Sequence, residues 1–324
     1  MKAILQTKYG SPDVLKFVEV EKPFPKQDQV LIKVEAMGLN MADWRLLTGR
    51  PFFIRLAGMG KGKIPGSDMA GRVLSIGQEV KELQPGDEVY GDLSSVGSGA
   101  FAEYVCVPEK AVAKKPSNLS FEQAAAVPMA AVTALQGLRD AGRIQPGQKV
   151  LIHGASGGVG TFAVQIARAF GGEVTAVCST GKMELVRSVG ADHVIDYTRE
   201  DFTQNGQSYD LILAANGYRP IWKYRRALTS SGVYVMAGGT MTQIFQALLL
   251  GPLLSNRGGR RLTGMTARPS RQDLLAMKEL IEPGQVSPVI DHCYRFSEIR
   301  DAFLALGAGH ARGKLVLTMD EKQP

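Results

Sequence analysis

Residues Val150 to Ala167 join an apolar strand pattern to a helical one through Gly154, Ala155, Ser156, Gly157, Gly158, Val159 and Gly160. A glycine-rich turn between a strand and a helix suits a pyrophosphate: Gly157 lets the backbone approach it, Gly160 lets the helix pack closely on the strand, and the first helical N–H groups face the negative charge. Ala155 stands where the usual fingerprint has its first glycine, so the match is to a variant. About twenty residues on, at the end of the next strand, an acid would hold the ribose 2′-hydroxyl of NAD. Here stand Cys178, Ser179, Thr180, Gly181 and Lys182. Two hydroxyls and an ammonium without a carboxylate suit a 2′-phosphate, and the expected cofactor is NADPH. Tyr197, past the third strand, could offer its hydroxyl to the same phosphate.

These residues need a scaffold, and the periodicity supplies one. Up to about residue 115 the chain reads as short strands broken by turns: Lys2–Thr7, Leu15–Val20, Gln29–Ala36, Asp68–Ile76, Glu88–Gly91 and Ala102–Pro108. Such spacing predicts an antiparallel, barrel-like domain. From Ser120 the period changes. Phe121–Asp140 reads as a helix opened by a capping box of Ser120 and Gln123. Strands at Lys149–His153, Glu173–Cys178, His193–Asp196, Asp210–Ala214 and Gly232–Ala237 then alternate with helices at Gly158–Phe170, Lys182–Val189 and Ile221–Leu228. That order predicts a parallel, doubly wound sheet, giving an α/β protein. Val289–Tyr294, Ser297–Gly307 and Lys314–Met319 revert to strand, helix, strand.

Composition narrows the class. The 324 residues are 44% apolar and 21% charged, with net charge +7, which suits a globular chain of about two domains. Three scattered cysteines, Cys106, Cys178 and Cys293, build neither a disulfide framework nor a four-thiolate zinc site, and they point to a reducing, cytoplasmic setting. The amino terminus lacks the features of a signal peptide, and no apolar run is long enough to span a bilayer. Lys223, Arg225, Arg226, Arg257, Arg260, Arg261, Arg268 and Arg271 crowd one stretch. A solvated basic face explains them, and without aromatic interleaving nucleic acid is not an expected partner. The apolar run Ile244–Leu254 has three readings, namely a cover for an acceptor, a dimer contact or a peripheral membrane contact.

Several motifs in order resemble the medium-chain dehydrogenase/reductase superfamily, in its zinc-free quinone oxidoreductase and zeta-crystallin branch. They are Gln84–Gly91, Gly99–Tyr104, Ala124–Pro128, His153–Gly160, Gly190–Asp196 and Gly313–Leu317. The resemblance implies a GroES-like β-barrel catalytic domain at residues 1–120, completed by 288–324, around a Rossmann NADPH-binding domain at 121–287. It also implies a homodimer joined through the Rossmann sheets. Zinc-dependent members carry ligands in segments where this chain has Asn40, Ser67 and Met129, which do not supply the soft donors zinc needs. No metal is therefore expected.

The implied chemistry is hydride transfer from NADPH to a quinone or an α,β-unsaturated carbonyl. Asn40 would lie beside the nicotinamide and donate to the developing oxyanion, with Asp43 as an orienting acid. Thr133, Ala215, Asn216, Gly238, Gly239, Met265 and Lys314 are further candidates for cofactor contact, with Thr240 and Thr266 beside them. Trp44, Phe52 and Phe53 offer apolar stacking surface to the acceptor. His153, His193 and Cys178 are read as strand residues. Two alternatives remain: a zinc-free NADPH-dependent aldehyde or ketone reductase, and an NADPH-binding protein with a structural or RNA-binding role.

Overall fold

A computed structural model describes residues 1–255 and 259–320, so Arg257 lies outside the described residues. Its strands, in chain order, are β1 (Lys2–Gln6), β2 (Leu15–Glu19), β3 (Gln29–Leu39), β4 (Asp68–Ile76), β5 (Glu88–Asp92), β6 (Tyr104–Pro108) and β7 (Val112–Lys114), then β8 (Lys149–His153), β9 (Glu173–Cys178), β10 (His193–Asp196), β11 (Tyr209–Ala214), β12 (Leu228–Met236) and β13 (Arg261–Gly264), and finally β14 (Ile290–Arg295) and β15 (Lys314–Thr318).

The chain forms two compact units. The first comprises Met1–Met129, Pro269–Glu282 and Pro288–Pro324. Its seven-stranded sheet runs β14-β15-β3-β4-β5-β7, with β6 also paired to β3. β3 carries this sheet because eight of its eleven residues are buried, among them Val30, Ile32, Val34, Met37 and Leu39. Phe101, Phe296 and Phe303 fill the same core.

The second unit comprises Ala130–Arg268 and Pro283–Ser287. Its six strands run β10-β9-β8-β11-β12-β13, all parallel. β8 lies between β9 and β11, so the winding reverses there and opens a crevice at the carboxyl ends, where such sheets bind ligands. Val150, Leu151 and Ile152 of β8 are fully buried, as a strand covered on both faces requires.

Two expected boundaries move. The capping box of Ser120 and Gln123 is present, but its helix ends at Ala125. A second helix starts at Pro128, whose missing N–H cannot continue the first, and the turns widen into a π-helix over Gln136–Gly142. Residues 121–129 belong to the first unit, where Gly38 packs so closely on Ala125 that a Cβ would stand 2.2 Å from its carbonyl oxygen. The helix Arg271–Ile281, absent from the expected elements, also joins the first unit. The hydroxyl of Tyr90 donates to Leu274 O at 2.6 Å, Asn118 donates to Ile281 O, and Arg271 holds Glu82 through both guanidinium nitrogens.

Candidate functional site

The phosphate turn is built by close approach. Gly154 has φ +83°, and a Cβ there would lie 1.9 Å from Asn216 O. On Gly160 a Cβ would lie 2.1 Å from Gly154 O, so only glycine lets the helix Gly158–Ala169 start so near the strand. Gly157 is the N-cap of this twelve-residue helix and brings no side chain to it, which leaves the first turn open to an anion. The cradle therefore fits a dinucleotide pyrophosphate. Ala155 and Ser156 are buried within the turn, and Ala155 N–H is bonded to Val177 O of β9.

The other cofactor candidates of this unit line up along the same sheet edge. Ser179, Thr180 and Lys182 follow β9, Tyr197 follows β10, Ala215 and Asn216 follow β11, Gly238 and Gly239 follow β12, and Met265 follows β13. Thr133 is buried on the helix Pro128–Leu135. One expectation is altered. The Thr180 hydroxyl donates to Asp196 Oδ2 at 2.5 Å, so its proton is committed within the protein. Asp196 also accepts from Thr198 N–H and Oγ1, and these bonds, led by that from Thr180, hold its carboxyl below the usual range. An acid thus does stand near this edge, on the third strand.

In the first unit the ladder puts four polar residues in one row. Gly38 pairs with Asp68, Asp68 with Asp92, and Leu39 with Leu315, so Asp68 and Asp92 of β4 and β5 are gathered with Lys314 of β15 and with Asn40, which directly follows β3 two residues beyond Gly38. All four are buried. Asn40 Nδ2 donates to Asp68 Oδ2 at 2.9 Å, and Lys314 Nζ donates to Asn40 Oδ1 at 2.5 Å and Leu39 O at 2.9 Å, with Asp68 Oδ2 at 3.5 Å. Asp68 Oδ1 accepts from Met129 N–H. Asp43, three residues into the helix Met41–Thr48, accepts from Asn40 N–H at 2.9 Å and from Ser67 Oγ at 3.4 Å. Burial pushes the Asp43 carboxyl up to about 7 and raises Asp68 and Asp92 as well, outweighing the pull of Lys314. Three carboxyls face one ammonium.

This geometry bears on two of the expected site residues. Lys314 is 3% exposed, with two N–H donors bonded to Leu39 O and Asn40 Oδ1 and the ammonium paired with Asp68, so its charge is engaged within the first unit. Trp44 is partly buried, packs on the core of that unit and lies where a Cβ on Gly307 would meet its ring at 2.4 Å, so part of its surface is spent on packing. Phe52 and Phe53, 67% and 57% exposed, keep theirs. The roles of Asp68 and Asp92 went unpredicted. The signal was there in Gly66-Ser67-Asp68, which replaces the Gly-His-Glu of zinc-dependent members.

The metal question follows from the donors. Asn40 and Ser67 bring an amide and a hydroxyl already engaged with Asp68, Lys314 and Asp43, and Met129 brings a thioether. No group of three His, Cys, Asp or Glu side chains among the described residues could hold a metal ion. The residues do not fit a catalytic zinc. His153, at the end of β8, is bonded to Tyr224 OH through Nδ1 and buried, which drives its pKa down to about 4. It is a structural neutral imidazole.

Five residues of the basic stretch are bonded within the protein, while Arg226 and Arg268 are exposed. Lys223 pairs with Asp201, Arg225 donates to Leu254 O, Arg260 to Leu228 O and Thr229 O, Arg261 to Ala141 O, and Arg271 pairs with Glu82. No described helix is long and apolar enough to cross a membrane.

Two sequence families match the chain. The Alcohol dehydrogenase GroES-like domain covers residues 26–117, and the Zinc-binding dehydrogenase family covers residues 189–317. With the fold, these define an NAD(P)-dependent oxidoreductase with a dinucleotide-binding domain. The chain belongs to the medium-chain dehydrogenase/reductase superfamily, in its quinone oxidoreductase branch. It is 38% identical to 2-methylene-furan-3-one reductase of Solanum lycopersicum over 98% of this chain and 79% of that protein. It is 36% identical to the chloroplastic NADPH-dependent alkenal/one oxidoreductase of Arabidopsis thaliana, again over 98% and 79%. The solved quinone oxidoreductase of Coxiella burnetii superposes with a TM-score of 0.87 at 30% identity, covering 99% of both chains.

Proposed function

We propose that this chain reduces quinones and α,β-unsaturated carbonyls with NADPH, without a metal. The observation that carries the reading is Asn40: where zinc-dependent members bind a metal, this chain holds an amide oriented by Lys314 and Asp68. NADPH supplies a hydride. Gly157 to Gly160 would hold its pyrophosphate, and Ser179 and Lys182, with Tyr197 beyond β10, would hold the 2′-phosphate. Asn40 donates an N–H to the acceptor oxygen as negative charge builds there, and Phe52 and Phe53 give the acceptor a flat apolar surface. The names of the Solanum and Arabidopsis relatives support an enone acceptor, and that of the Coxiella protein a quinone.

One observation favours a second reading, reduction of isolated aldehydes and ketones. Asp43, whose carboxyl burial pushes up to about 7, accepts from Asn40 N–H and from Ser67 Oγ, so a proton could pass to an acceptor only by way of the Ser67 hydroxyl. The test is a comparison of NADPH and NADH oxidation with phenanthrenequinone, a medium-chain enone and the matching saturated ketone. Turnover of the first two with NADPH is expected; turnover of the saturated ketone alone would overturn the main reading. The three free thiols suit a reducing, cytoplasmic setting.

We also read the chain as a homodimer, joined through an apolar ridge. Phe245, Leu248, Leu249 and Leu253 of the Ile244–Leu254 run are exposed, which a lone chain rarely leaves in water. On β13, Leu262 N–H is already taken, donating to Ser255 Oγ at 2.9 Å, while that hydroxyl donates to Gly251 O at 2.7 Å, which speaks against pairing of that strand with a partner's.

A further inference from the structure

Lys314 stands apart among the buried charges because its surroundings determine the orientation of another side chain. An asparagine amide is nearly symmetric in shape, and its oxygen and nitrogen exchange places by a half-turn about one bond. Its neighbours therefore decide which atom faces which way. On one side of Asn40 lies Lys314 Nζ, which can only donate; on the other lies Asp68, whose Oδ2 accepts from Asn40 Nδ2 while its Oδ1 accepts from Met129 N–H. With the ammonium at Oδ1 and an accepting oxygen at Nδ2, the amide has one satisfied orientation, and turning it over would set N–H against N–H and oxygen against oxygen. Leu39 O takes a further donor of Lys314, which fixes the ammonium to the end of β3 beside Asn40. Only one N–H of Asn40 goes to Asp68, so the other remains to be offered.

We propose that Lys314, backed by Asp68, is a positioning residue that locks the Asn40 amide with its second N–H presented to the acceptor oxygen. This rests on the proposed role of Asn40 in the reduction. Lys314 touches neither acceptor nor cofactor and acts through Asn40 alone. Without it Asp68 alone selects the orientation, and the amide presents its oxygen for part of the time, which repels the charge that develops in the reduction.

The test is a double-mutant cycle with the full-length protein, using NADPH and phenanthrenequinone. Lys314→Met keeps the aliphatic stem and removes the donors. It should lower kcat by about tenfold, less than the roughly 100- to 1,000-fold of removing an oriented donor outright because Asp68 still holds Nδ2, with the NADPH dissociation constant within about twofold of wild type. Asn40→Ala, which removes the donor, should lower kcat by about 100-fold or more, and Asn40→Ala/Lys314→Met should be no slower than Asn40→Ala within about twofold, since a lysine that acts through Asn40 has nothing left to act on. Lys314→Arg, which restores charge and donors, should recover part of the loss. If Lys314→Met does not fold, Asp68→Asn provides the same cycle from the other side, because it replaces two accepting oxygens with an amide that can turn either atom towards Asn40. Multiplicative losses in the double variant, or full kcat in Lys314→Met, would overturn the positioning role. A full kcat in Asn40→Ala would instead sink the proposed role of Asn40.

Discussion

The Thr180 hydroxyl lies 2.5 Å from a carboxylate oxygen of Asp196, joining the end of the second parallel strand in chain order to the end of the third. The bond brings a negative charge to the part of the sheet edge assigned to a 2′-phosphate. Lys182 and Asp196 should therefore pull cofactor preference in opposite directions. Lys182→Ala should raise KM for NADPH by about tenfold or more, the scale of one charge-assisted contact, and change KM for NADH by less than about twofold. Asp196→Asn keeps an acceptor for Thr180 and removes the charge, so the ratio of kcat/KM for NADPH over NADH should rise. Steady-state kinetics with both cofactors checks each direction.

The turn itself should tolerate no side chain at Gly160. A Cβ placed 2.1 Å from Gly154 O must push the helix off the strand. Gly160→Ala should cost about 1 to 3 kcal/mol, the range for overpacking a filled site, and should weaken NADPH binding through the displaced helix start. Thermal melting and cofactor titration together report both losses.

The buried carboxyls give stability a pH dependence of defined sign. Asp43 is raised to about 7 and Asp68 to about 8, against ordinary values near 4. Between those limits the folded chain holds protons that the unfolded chain has released, so stability falls as pH rises from about 4 to about 8. Melting temperature should drop over that window, less steeply in Asp43→Asn. A melting curve flat or rising from pH 5 to pH 8 in the wild type, after the opposing titration of His153 below pH 6.5 is allowed for, would count against the raised values.

The assembly prediction separates two surfaces. A dimer made through the ridge should fall apart when Leu249→Glu and Leu253→Glu are combined, as both side chains are exposed on the folded chain. A dimer made by extending the sheet across β13 would survive that change. Light scattering of the two proteins at equal concentration distinguishes them.

The parts of the fold that could be read from the residues are those set by local rules. β4 and β8 to β10 lie where alternation and flanking turns put them, and the capping box of Ser120 is formed as its spacing requires. Pro128 broke a longer helix, because a helical apolar pattern on both sides hides one missing N–H. The phosphate turn was readable since its chemistry lies within seven residues. The buried row was not: Lys314, Asn40, Asp68 and Asp92 become neighbours only through the register of four strands, which no local window contains. Trp44 illustrates the same limit, for an aromatic side chain serves a core and a ligand surface with equal chemistry, and Gly307 decides between them.

The pairing of β15 with β3 has a consequence for how the enzyme comes into being. Asn40 and Asp68 emerge early from the ribosome, whereas the lysine that completes their row is residue 314. Until then the amide lacks its ammonium, and the carboxyls lack their counterion. A nascent or prematurely terminated chain can finish its parallel sheet, whose last strand ends at Gly264, and still lack this buried row. Dinucleotide capture would then precede competence for reduction during synthesis.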